Sequence, residues 1–271
     1  MSQVLRCLNV VCVLAIVQYF PTAVAEEAAA PLLRAHAHND YLHTRPLLDA
    51  LEQGFCSVEA DVFLVNGKLL VAHSFLELSP DRTLEDLYLK PLRERVKANG
   101  GRVHKNGPVF TLLIDIKADG ANTYTALNTL LQQQYADVFS YVENGTFHEQ
   151  AVNIVISGDR AFDVISGSSK RFAGIDGRLS DLDTHHSSHL MPLISDNWRN
   201  HFKWRGVGEF PEPERAKLTD CVAKAHAAGR RIRFWATPDV PAMWEALDNA
   251  QVDMINTDDL PGLAKYLRAV E

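Results

Sequence analysis

The sequence predicts a single (β/α)8 barrel, and three observations carry that reading. Apolar strand-like runs alternate with amphipathic helical stretches about eight times, as in a parallel sheet whose strands are each followed by a helix. The 271 residues, once a leader at 1–25 is set aside, match the ~250 residues typical of such a barrel. No Gly-rich phosphate loop follows the first strand, which argues against a doubly wound open sheet. Neither an internal repeat nor an interdomain linker divides the chain.

Taken in order, an acidic, Ala-rich linker at 26–31 leads into a first strand ending in His36-Ala-His38. A short helix follows, with Thr44 as N-cap, Pro46 in its first turn and Gly54 as its stop. Residues 55–75 read as strand, Asn66-Gly67 turn and strand, which adds a β-hairpin after the second barrel strand. Thr83 to Ala98 is a long amphipathic helix ended by Asn99-Gly100-Gly101. Val109–Lys117 is apolar enough for a parallel strand covered on both faces. Then come a helix over 121–139, a strand at Val152–Ser157, a short helix near 160–166 and a strand at Arg171–Ile175. Residues 177–189 are polar and irregular, Met191–Ser195 is a weak strand, and 196–211 reads as a loop carrying Trp198 and Trp204. Helix Pro213–Ala228, strand Arg231–Ala236, helix Pro241–Asn249, strand Val252–Asn256 and helix Leu260–Val270 close the barrel, which occupies 32–271.

Composition is that of an ordinary globular protein, 46% hydrophobic and 23% charged. A formal charge of −7 without a basic patch excludes nucleic acid as a partner. Arg6, the apolar run Cys7–Phe20 and Ala23-Val24-Ala25 read as a signal peptide, so export to the periplasm or the medium is expected. Cys56 and Cys221 are read as buried small apolar residues. Asn144-Gly145-Thr146 is a glycosylation sequon, and His185, His186 and His189 have no spacing that ties them to a site.

Active sites of such barrels lie at the C-terminal ends of the strands. There, polar pairs interrupt apolar strands at i, i+2 spacing, which points both side chains one way: His36 and His38, Glu59 and Asp61, Asp115 and Lys117. Carboxylates in so apolar a setting need compensation. Three carboxylates with the Asn39 amide make a hard oxygen set suited to Mg2+ or Ca2+ rather than zinc. His73, at the end of the hairpin, is delivered to the same place as an acid or base. Trp235 and Asp258 end late strands, where a core Trp and a helix N-cap are the simpler readings. Arg160 divides between a phosphate contact and a solvated turn.

His38-Asn39-Asp40-Tyr41-Leu42 resembles the Ser-His-Asn-Thr-Tyr-Leu stretch of phosphoinositide-specific phospholipase C. Val58-Glu59-Ala60-Asp61-Val62, with Leu69-Leu70-Val71-Ala72-His73, resembles the Val-Glu-Leu-Asp…His segment of glycerophosphodiester phosphodiesterases. The most detailed likeness, over residues 35–75, is to the altered inheritance of mitochondria protein 6 group of that phospholipase-C-like superfamily. The resemblance implies a (β/α)8 (TIM) barrel and a metal-dependent phosphoric diester hydrolase acting on a small-molecule or lipid phosphodiester. A lipid substrate would bring transient contact with a membrane surface. It implies His38 and His73 as the acid–base pair, Asn39, Glu59, Asp61 and Asp115 as ligands of a divalent cation, and Lys117 at the phosphate. In this superfamily the attacking hydroxyl often belongs to the substrate, giving a cyclic phosphate. The arginine of the His-Arg-Gly motif is absent, and the third carboxylate is Asp115 where many relatives have Glu, so substrate choice does not transfer. His36 competes with His38 for the first-strand role, Asn39 favouring His38.

Two rivals remain at this level. An amidohydrolase-like barrel would bind Zn2+ through His36 and His38 with Asp258 on the last strand. A barrel that binds a phosphorylated or lipid ligand without turning it over would need the same scaffold. Metal dependence separates the first, and turnover of a phosphodiester the second.

Overall fold

The structure, a computed structural model, describes residues 29–270. In chain order the strands are β1 (Leu32–Ala37), β2 (Phe55–Val65), β3 (Lys68–Val71), β4 (Phe110–Ile116), β5 (Tyr141–Glu143), β6 (Thr146–His148), β7 (Val152–Gly158), β8 (Lys170–Arg171), β9 (Ala173–Gly177), β10 (Leu193–Asn197), β11 (Arg231–Trp235) and β12 (Met254–Thr257). The α-helices are α1 (Leu48–Glu52), α2 (Lys90–Ala98), α3 (Gly120–Gln134), α4 (Phe162–Gly167), α5 (Trp198–His201), α6 (Glu212–Ala227), α7 (Pro241–Asn249) and α8 (Leu260–Val270). The strands β1, β2, β4, β7, β9, β10, β11 and β12 pair in parallel in that order, and β12 pairs back onto β1. That closes an eight-stranded barrel. The Asn66-Gly67 turn, both residues at positive φ, folds β3 back antiparallel on β2, as the sequence predicts.

Strands β2, β4, β9 and β12 bury both faces, which is why they read as apolar runs. Outward residues pack against the helices, α8 contributing Leu260, Leu263, Ala264 and Leu267 at helical spacing. Inward residues Leu113, Val155, Leu193 and Met254 form a separate apolar layer, consistent with the period of two. Above that layer, toward the C-terminal strand ends, the inward residues become polar. Register holds Asp61 beside Asp115 and Asp115 beside Ser157.

Several elements differ from the sequence reading. The first helix is only Leu48–Glu52, and Thr44 does not cap it. Instead buried Asp40 takes the Leu47 N–H at 2.6 Å and the Tyr88 hydroxyl at 2.8 Å, pinning the loop after β1. The helix expected from Thr83 begins with a π-helical turn, Glu85–Leu89, before α2. Residues 196–211 are not simply loop: β10 runs to Asn197, and α5 follows. Trp198 is fully buried there, stacked on Phe202 with centroids 4.0 Å apart. A second small sheet, β6-β5-β8, lies outside the barrel strands. Its strands of two or three residues are too short for periodicity to register. Asn144-Gly145 is the tight turn between β5 and β6, with both residues at positive φ. No helix among the described residues is long and apolar enough to cross a membrane.

Candidate active site

Glu59, Asp61 and Asp115 each bring a carboxylate oxygen within 4.8 Å of the others. Among the described residues this is the one group of His, Cys, Asp or Glu arranged to hold an ion. Register sets Asp61 and Asp115 at the same height on adjacent parallel strands, and Glu59 lies two residues before Asp61 on the same face. Two cations neutralise part of it. Lys117 Nζ lies 3.1 Å from Asp61 Oδ2 and 3.5 Å from Asp115 Oδ1. Arg233 Nη1 donates to Glu59 Oε2 at 2.7 Å. Three carboxylates against two cations leave a net negative charge at the base of the mouth.

The electrostatics follow this arrangement. Burial, the largest single influence, would raise the Glu59 carboxyl, but the Arg233 guanidinium together with His36 and His38 outweighs it and holds Glu59 well below the usual carboxylate range. Burial, with Glu59 and Asp61 nearby, outweighs Lys117 and pushes Asp115 up to about 6. Asp115 is thus the member of the cluster most in need of a positive partner. Its placement also depends on Gly158: a Cβ there would lie 2.4 Å from Asp115 Oδ1.

The histidines divide into two kinds. His36 is fully buried, with Nδ1 2.7 Å from Ser57 Oγ and Nε2 accepting from Arg233. Burial and the Arg233 charge lower it to about 3, so it stays neutral and braces the barrel wall. His38 presents Nδ1 to Asp258 Oδ1 at 2.8 Å, and His73 presents Nδ1 to Asp61 Oδ2 at 2.9 Å. A carboxylate accepting from Nδ1–H fixes the tautomer and leaves Nε2 as the exchangeable nitrogen. Burial pulls the His38 imidazolium down, but the bond to Asp258 helps to leave its pKa raised. The Tyr41 hydroxyl donates to Asn39 Oδ1 at 2.7 Å and lies 3.0 Å from His73 Nδ1. Asn39 Nδ2 donates to Asp258 Oδ1 at 3.2 Å, the same oxygen that accepts from His38 Nδ1–H. Asp258, Asn39 and Tyr41 therefore link the two histidines across the mouth.

All seven residues singled out from the sequence (His38, Asn39, Glu59, Asp61, His73, Asp115, Lys117) lie in this connected set. Three further residues belong to it. Asp258 is no helix cap; Asp259 takes that place, accepting the Gly262 N–H at 3.0 Å. Arg233 alternates with Arg231 at i, i+2 spacing on β11, a pattern shared with surface strands, and only barrel closure brings it to Glu59. Tyr41 sits inside the His-Asn-Asp-Tyr motif, but only the fold turns its hydroxyl toward His73. Arg160 is held on the barrel wall, Nη1 donating to the Asp176 carbonyl at 2.9 Å. Trp235 is half-buried at the end of β11.

Residues 27–175 match the family model described as AIM6-like phosphodiesterase domain. The chain is 30% identical to altered inheritance of mitochondria protein 6 of Eremothecium gossypii, over 87% of this chain and 69% of that protein. In fold it is similar to a glycerophosphodiester phosphodiesterase from Parabacteroides distasonis, with a TM-score of 0.57 at 16% identity, covering 88% of this chain and 97% of that one. It is also similar to an Oleispira antarctica phosphodiesterase in complex with the product sn-glycerol-3-phosphate, with a TM-score of 0.54 at 14% identity, covering 87% and 96%. The relatives correct the expectation of export: they are named for the inheritance of mitochondria, which speaks against a periplasmic or secreted protein. The segment that suggested a signal peptide, residues 1–25, lies outside the described residues.

Proposed function

Given that the chain belongs to the AIM6-like phosphodiesterase family, we propose that it hydrolyses a phosphoric diester of the glycerophosphodiester or phospholipid type with a divalent cation, Mg2+ or Ca2+. The observation that carries this reading is the convergence of Glu59, Asp61 and Asp115 beside two histidines whose Nδ1 atoms each face a carboxylate. The donor set fits such an ion: hard oxygens, one net negative charge after Lys117 and Arg233, and Asp115 left wanting a positive partner. Asn39, Glu59, Asp61 and Asp115 would hold it. When bound, the cation supplies positive charge to a non-bridging phosphate oxygen. Together with the phosphodiester monoanion it brings the site to neutrality.

The chain's own groups do the rest. Lys117, anchored by Asp61 and Asp115, faces the phosphate. His38 and His73 exchange a proton through Nε2 with the attacking and leaving oxygens, one as base and the other as acid. Tyr41 and Asn39 fix the distance between them. A small phosphodiester substrate is supported by the Oleispira antarctica relative, which carries sn-glycerol-3-phosphate as product. The zinc reading would need His36 and His38 to share an ion, whereas His36 is committed to Ser57 and Arg233.

Three measurements follow. Turnover of glycerophosphodiesters, phosphoinositides and sphingomyelin, read by phosphorus NMR, should give a monoester or cyclic phosphate from at least one class. No product from any of the three would refute the reading. Asp61→Asn should weaken divalent-cation binding, read by calorimetry, with little change in melting temperature; unchanged affinity would remove Asp61 from the ligand set. The rate should be bell-shaped in pH. Asp258→Asn removes the anion that favours the His38 imidazolium, so the His38 limb should move to lower pH. A limb that stays in place would detach Asp258 from the acid–base system.

A further inference from the structure

The opposite end of the barrel holds a second cavity, of about 250 Å3, lined among others by Phe147, Asn153, Arg171, Ser188, His189 and Arg231. The small outer sheet forms part of its wall through Phe147 and Arg171. The inward apolar residue Val155 also lines it, so the layer of Leu113, Val155, Leu193 and Met254 separates it from the mouth.

Its charge is unusual. No carboxylate lines it, yet two guanidinium groups do. Arg231 lies across the barrel floor, its Nη2 donating to Thr111 Oγ1 at 2.9 Å from a strand that does not neighbour β4 in the sheet. That is its one side-chain hydrogen bond among the described residues. The nearby carboxylate of Asp253 is already engaged by His226 and by the Ile232 N–H, each at 2.8 Å. Arg171 Nε is buried without a partner, and so is Asn153 Oδ1. Burial holds both guanidinium groups below the ordinary arginine value. Two guanidinium groups therefore line one cavity whose wall holds no carboxylate, and a planar oxyanion is the group that guanidinium forks match. His189 stacks on Phe147 at 4.5 Å and completes a wall for a small organic body.

We propose that this cavity is an anion-binding site, distinct from the mouth, for a small molecule carrying a phosphate or a carboxylate. Arg231 and Arg171 take the oxyanion, with the Asn153 amide beside them.

The test is calorimetric titration of the metal-free full chain with inorganic phosphate and, separately, with malonate. At least one should bind at a single site, and the one that binds names the source of the oxyanion. Arg231→Gln should weaken that binding at least tenfold. Asn153→Asp keeps the volume and supplies an internal carboxylate, so it should do the same even if Arg231→Gln proves unable to fold. Lys117→Met, at the other end of the barrel, should leave the affinity unchanged. Absence of binding by both anions would overturn the proposal. So would binding that is lost in Lys117→Met and kept in Asn153→Asp, which would put the anion at the mouth.

Discussion

Replacing either His38 or His73 by Ala is expected to lower kcat/KM for a phosphodiester by roughly 10²–10⁴, the range for losing a general acid or base. The two losses should not multiply. His38 and His73 are linked through Asp258, Asn39 and Tyr41 and act on one proton inventory, so the double variant should cost less than the product of the singles. Melting temperatures of both single variants should stay near the parent, since both side chains reach solvent at the mouth. His36→Ala is the contrasting case. Its imidazole is fully buried and neutral, so its loss should appear as reduced stability before any specific loss of rate. Full activity in His38→Ala, with turnover abolished in a folded His36→Ala, would exchange the two roles.

Arg233→Met should destabilise the fold by about 3–5 kcal/mol, the usual result of removing one partner of a buried ion pair. Arg233 and Glu59 are both buried, and Arg233 also donates to His36. The variant would leave the Glu59 carboxylate in an apolar wall, forced to take up a proton. In a chain of this size that corresponds to a fall of roughly 10 °C in melting temperature. Adding Glu59→Gln to Arg233→Met should recover part of the loss, because the buried charge is gone. A melting temperature unchanged in Arg233→Met would mean that water reaches Glu59 and that the pair contributes little.

The barrel was legible because its evidence is redundant. Eight strand–helix units, a matching length and an Asn66-Gly67 hairpin all point one way. What escaped depends on tertiary context. Thr44 looks like a cap, but the chain bends earlier because Asp40 reaches the Leu47 amide, a contact that spacing does not announce. Residues 196–211 look polar, yet Trp198 and Phe202 bury a helical turn among aromatic rings. At the site, period-two pairs on the early strands reveal Glu59, Asp61, Asp115 and Lys117, since a charged pair inside an apolar run stands out. Asp258 was hidden by a second acid, Asp259, beside a helix start. Arg233 was hidden because an arginine in a strand is ordinarily a surface residue, and only closure of the barrel brings β11 opposite Glu59.

The central claim is that the carboxylate cluster works with a hard divalent cation on a phosphodiester. The most direct measurement is hydrolysis of a chromogenic phosphodiester by the purified chain after chelation, followed by addition of Mg2+, Ca2+ or Zn2+. The account predicts that chelation abolishes turnover, that Mg2+ or Ca2+ restores it, and that Asp61→Asn needs a much higher cation concentration. Turnover that survives chelation, or that only Zn2+ restores, would contradict it.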